Sequence, residues 1–366
     1  MMATRKSSSL LTAAALLLLP LIYFYPAVTG RVIFAMGDAW TYSLPLRVLT
    51  GEMLRRGTLP LWNPHTFAGM PLLAAVQPGV LYPPNWLFAI LPPGAAMNAV
   101  TIMAYHLSLG GTFLFARALS LGRLAALIAA VSFTFGGFML SHPEMTNYIA
   151  AAAWLPWLLL ATEKLSRSRS WRAAWRWVMA GSAMIALQCY AGLPQATWQT
   201  LLICGPYFLF RLSVEARKAF STKTHEESRS AERPLSCFVI FRVPSWMKSL
   251  VRKRRSQDRL IPLRRYVLSV GLMSVCGLLL SAVQLLPTIE LQQQGERAAI
   301  PYEAFAAYPL APRFLLTLLV PYFYGGGWPP LYHLGGWDEW WLLRYGYGYV
   351  GLSGLLLVLA AWFAPG

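Results

Sequence analysis

What most constrains this chain is a series of apolar runs separated by short basic blocks. Eight of them lie at residues 10–28, 97–117, 123–140, 147–162, 175–192, 196–211, 266–288 and 346–363. A hydrocarbon core of about 30 Å is crossed by a helix of about 20 apolar residues, fewer where the bilayer thins. The runs therefore predict an all-α polytopic membrane protein with about eight transmembrane helices. Composition points the same way: 57% of residues are hydrophobic and 12% charged, too little charge to cover a water-facing surface of this length. A net charge of +17 would suggest nucleic acid in another chain, but here the basic residues sit between apolar runs, as in cytoplasmic loops. The four cysteines (Cys189, Cys204, Cys237, Cys276) show no CxxC and no zinc-like spacing, so neither a disulfide framework nor a metal finger is expected.

Basic residues also set the expected orientation. All but seven of the 31 Lys and Arg fall on one side if the N-terminus is cytoplasmic. The seven are Arg31, Arg47, Arg55, Arg56, Arg297, Arg313 and Arg344. Residues 1–211 then form a six-span module with an extracytoplasmic loop at 29–96. Residues 212–265 form a basic cytoplasmic insert, expected to be disordered or to lie on anionic lipid. Residues 266–366 add two spans around a second extracytoplasmic loop, 289–345. The first run follows Arg5 and Lys6 and reads as an uncleaved anchor rather than a signal peptide. The place expected is a bacterial cytoplasmic (inner) membrane, with many passes.

Polar groups at the outer ends of the spans are the candidate site. Asp38 follows the first run, Glu144 lies between the third and fourth, and Glu290 follows the seventh. Asp38, in MGDAWTY, can accept a proton from a hydroxyl, while Trp40 and Tyr42 offer faces for a sugar. Glu144 shares the turn SHPEMTN with His142, a pair that reads as acid, base or ligand to a divalent cation; no cofactor is fixed by the sequence. Trp62, Asn63 and His65 stand in the Pro- and Gly-rich stretch GTLPLWNPHTFAGMPL, where His65 fits a phosphate contact or a loop hydrogen bond. Gln195 lies in the tight connection GLPQ, and Arg297 could grip a phosphate by paired hydrogen bonds. Each acid has a plainer reading, the solvation or capping of a helix end.

FAMGDAWTYSLPLR, GTLPLWNPHTFAGMPLLAAVQPGVLYPPNW, GGFMLSHPEMTNYIAAAAWLPWLLLATEKL, AGLPQ and SAVQLLPTIEL together resemble the bacterial YfhO membrane-protein family. The resemblance runs through most of the chain outside 212–265. It implies a fold like that of GT-C glycosyltransferases, with large first and last extracytoplasmic loops. It also implies Asp38 in the place of the essential first-loop acid and Glu144 in that of a second. The reaction implied moves a sugar from a polyprenyl-phosphate donor to a cell-envelope glycopolymer or glycolipid, with membrane lipid around it and no nucleic acid. A transporter or lipid-handling protein, or a non-catalytic envelope-assembly scaffold, is the alternative.

Overall fold

A computed structural model describes residues 2–143, 145–231 and 245–295, together with 301–305, 312, 316, 325–326 and 332–333. Helices dominate. In chain order they are α1 (Met2–Tyr23), α2 (Tyr25–Val28), α3 (Leu44–Arg55), α4 (Pro93–Ala118), α5 (Arg123–Thr134) and α6 (Gly137–Leu140). There follow α7 (Thr146–Ala152), α8 (Leu155–Ser166), α9 (Trp171–Tyr190), α10 (Pro194–Ala231), α11 (Ser245–Gln294) and α12 (Tyr302–Phe305). A π-helical turn, Ala39–Ser43, leads into α3, and a 3₁₀ helix, Pro83–Ala89, precedes α4. Two short antiparallel pairs complete the set: β1 (Trp62–Asn63) with β2 (Met70–Pro71), and β3 (Gly325–Gly326) with β4 (Tyr332–His333).

Local sequence explains most boundaries. Proline stands in the first turn of α3, α4 and α8, where its missing N–H costs nothing. The Ser170 hydroxyl caps α9 by accepting from the Ala173 N–H at 3.2 Å. Between α9 and α10 the chain reverses at Gly192, whose φ of +96° an L side chain rarely adopts. A Cβ there would also crowd the Gln77 carbonyl at 3.0 Å.

α9 and α11 lie side by side and run the same way. The Arg265 guanidinium donates to the Ser168 carbonyl at 2.6 Å, the Ser182 hydroxyl to the Met273 carbonyl at 2.9 Å, and the Tyr190 hydroxyl to the Leu280 carbonyl. α8 packs on α9, and α4 packs on α8 through the Trp157 indole, which donates to the Leu107 carbonyl at 2.8 Å. The segment 29–92 folds over the far end of this bundle. Asn98 of α4 ties it down, donating to the Ala27 and Val32 carbonyls and accepting from the Phe34 N–H. Gln284 of α11 donates to the Leu73 carbonyl at 2.7 Å. At Gly51 a Cβ would sit 2.4 Å from the Phe88 backbone, so α3 meets the 3₁₀ helix as closely as backbones allow.

The expectation of eight spanning helices is not met. Among the described residues two helical stretches are long and apolar enough to cross a membrane, Pro93–Ala118 and Ile261–Gln294; Leu10–Tyr23 and Arg123–Thr134 are apolar but shorter. The reasons are local. The run 123–140 is broken at Phe135 and Gly136 into α5 and α6, and 147–162 is broken at Ala153 and Trp154 into α7 and α8. α9 carries Arg172 and Arg176 in its first turns, and α10 runs on past Arg211 into polar sequence. The run 346–363 lies outside the described residues. The GT-C-like bundle, and with it the many-pass placement in a bacterial inner membrane with a cytoplasmic N-terminus, are corrected accordingly.

Candidate functional site

Among the described residues two charged side chains are all but fully buried, at opposite ends of the bundle; a third, Arg265, is 9% exposed. The first is Glu163 of α8, with a side chain 0% exposed. One carboxylate oxygen accepts from the Arg167 guanidinium; the other accepts from Arg211 of α10 at 2.9 Å and from the Tyr207 hydroxyl at 2.6 Å. Arg211 also reaches the Ser166 hydroxyl at 3.0 Å and the Glu215 carboxylate at 3.5 Å. The α8–α9 turn next to it is gripped by Arg265 of α11. Phe115 of α4 meets the Tyr207 ring edge-on at 5.6 Å, so the end of α4 lies at this level too.

The second is Arg47 of α3, 1% exposed. Its guanidinium donates to the Thr146 hydroxyl and the Asn147 side-chain oxygen of α7, and touches the Met97 sulfur at 3.5 Å. Among the described residues no carboxylate lies within ion-pair distance of it, and its Nε has no hydrogen-bond partner. Burial lowers the guanidinium to about 10, and burial pushes the nearby Tyr82 phenol up to about 12. Asn147 passes the connection on, donating to the Gln77 carbonyl at 2.9 Å, beside Gly192 at the end of α9. From the first turn of α9 to its last residue is about 30 Å at 1.5 Å per residue, which separates the two charges.

The residues singled out from the sequence differ in exposure and in local partners. Asp38 is exposed at the start of the π-helical turn, and its side chain makes no capping hydrogen bond. Trp40, Trp62, His65, Gln195 and Glu290 are exposed as well. Trp62 lies over Gly69 within the β1–β2 hairpin. Asn63 is buried for a local reason: its amide donates to the Thr66 hydroxyl at 3.0 Å, and its oxygen accepts from the His65 N–H at 2.9 Å. Tyr42 packs against Leu46, Leu72 and Val80. His142 is buried and stacks on Tyr148 at 5.8 Å, its Nδ1 near the Ser141 hydroxyl and the Phe138 carbonyl. Glu144 and Arg297 lie outside the described residues.

Sequence reading passed over both buried charges. Arg47 stood among the seven basic residues of the outer side, and Glu163 was not singled out. One signal was present: Glu163 and Arg167 are spaced i, i+4, in the favourable order.

Comparison with protein-family models, with curated proteins and with solved structures finds no match. The resemblance to the YfhO family therefore stands on the quoted motifs alone. Among the described residues no three His, Cys, Asp or Glu converge as a metal site. With two helices of spanning length among the described residues, the glycosyltransferase expectation loses the architecture on which it was built and is withdrawn.

Proposed function

We propose that this chain works by binding, as a helical module that seats against lipid acyl chains along α11. One observation carries the reading, an inside-out pattern. Between Arg264 and Glu290 the exposed side chains of α11 are all apolar: Val267, Leu268, Leu272, Val275, Leu278, Leu279, Leu280, Val283, Leu286 and Ile289. Its polar side chains Ser269, Ser281 and Gln284 are buried. Water would select the opposite arrangement, and an exposed apolar surface of this extent marks a partner of the same character. From Val267 to Ile289 the face is about 33 Å long, close to the thickness of a bilayer's hydrocarbon layer. α4 passes the same length and composition test but is half buried within the protein, as a core helix is.

The test is quenching by lipids brominated on their acyl chains. A fluorophore on Val275→Cys, in the reconstituted full chain with its native cysteines replaced, should be strongly quenched. The same fluorophore on Arg264→Cys should be quenched far less. Equal, weak quenching at both positions, with Val275→Cys cross-linking between copies, would replace lipid by a second copy of the chain and sink the reading.

A further inference from the structure

α9 shows its outward side chains in two pairs one turn apart, Trp171 with Trp175 and Arg172 with Arg176. All four are exposed, the indoles by 52% and 51%, and together they line a shallow open groove of about 530 Å³. The neighbouring face of α9 is occupied: Ala174, Val178 and Ile185 pack into the bundle. No acidic residue lies anywhere in α9. Arg265 bonded to the Ser168 carbonyl holds this first turn level with the point where the outward face of α11 changes from Arg264 to Val267 and Leu268. The groove thus stands at the same level along the bundle as the basic end of the apolar face. Indoles favour a boundary where one side is apolar and the other wet, and guanidinium groups bind phosphate by paired hydrogen bonds.

We infer that the Trp171–Arg172–Trp175–Arg176 groove binds the phosphodiester headgroup of an anionic phospholipid whose acyl chains lie along α11. The inference rests on the lipid reading of α11 and adds to it a class of lipid and a place. The two arginines hold the phosphate, and the two indoles lie against the glycerol and the first methylenes. Two guanidinium groups one turn apart, flanked by two indoles, give a preference that a single surface charge would not.

The full chain is reconstituted in phosphatidylcholine with a trace of spin-labelled lipid, and the motionally restricted fraction is read for labelled phosphatidylglycerol and labelled phosphatidylcholine. Phosphatidylglycerol should be preferred. Arg172→Gln/Arg176→Gln should cut that preference by up to about 25-fold, since each surface arginine contributes about five-fold against anionic lipid. Arg172→Lys/Arg176→Lys keeps the charge without the paired geometry and should retain part of it, and Trp171→Ala should weaken restriction of both lipids. An unchanged preference in the double Gln variant would overturn the groove while leaving α11 as a lipid face. Equal restriction of the two lipids by the unmodified chain would likewise overturn the groove, and restriction of neither would overturn the lipid reading itself.

Discussion

Glu163 and Arg47 are both fully buried charges, and the protein accommodates them in opposite ways. Glu163 meets two formal counter-charges, Arg167 and Arg211, and a neutral phenol donates to the same carboxylate, joining α8 to α10. Arg47 meets dipoles, a hydroxyl, an amide oxygen and a thioether, and joins α3 to α7 and α4. Removing one partner of a compensated buried pair leaves an uncancelled charge, whereas neutral partners lose only hydrogen bonds. The first cluster is therefore a rigid tie between helices. The second is a softer one, in which part of the donor capacity stays unused.

The largest effect should come from Glu163→Gln, which leaves Arg211 buried with its main counter-charge gone. About 3–5 kcal/mol of stability should be lost, read by thermal melting of the purified chain. Arg47→Met removes the other charge and leaves the Thr146 hydroxyl and Asn147 oxygen short of a donor, for a smaller loss of about 1–3 kcal/mol. Equal losses in the two variants would break the comparison. Arg167, 46% exposed, sharpens it from within: Arg167→Gln should cost under about 1 kcal/mol, far less than Arg211→Gln, because water already screens that half of the cluster.

Alkaline titration separates the two groups at the Arg47 end. Below pH 10 Tyr82 is neutral whether folded or unfolded, and its contribution is fully present. Between pH 10 and about 12 the unfolded chain ionises first, and that contribution is lost. Arg47 has the opposite sign. Over the same interval the folded state gives up a proton that the unfolded chain still holds, so the cost of burying it shrinks as pH rises. Tyr82→Phe should make the alkaline fall in Tm shallower, and Arg47→Met should make it steeper. A change in the same direction in both would contradict the assignment. The smallest effect belongs to Asp38→Asn. An exposed carboxylate without a capping bond should change stability by no more than about 0.5 kcal/mol, and a larger shift would mean Asp38 has a partner in the assembled molecule.

Much of the helical content was legible from hydrophobic runs; the starts were not read in advance, although Pro93, Pro156 and Pro194 each stand at or near the first residue of a helix. Lengths were less legible. An apolar run does not say where a helix stops, and Gly136 and the Ala153–Trp154 turn cut two runs that read as continuous. The site was the least legible part. Asn63 and His142 stood out as polar groups with chemistry to offer, and both are buried with local hydrogen-bond partners.

The sequence by itself determined that this chain is helical, unusually apolar and basic, because those properties are sums over residues and local patterns. Only the tertiary structure decided which apolar face is covered and which charges are buried. α4 and α11 have similar apolar sequences, yet α4 is half enclosed by its neighbours and α11 turns a continuous apolar face outward. Arg47 meets Thr146 and Asn147 across about a hundred residues of chain, and Glu163 meets Arg211 across 48. Whether a charge has a partner is a property of distance in space, and no local pattern encodes it.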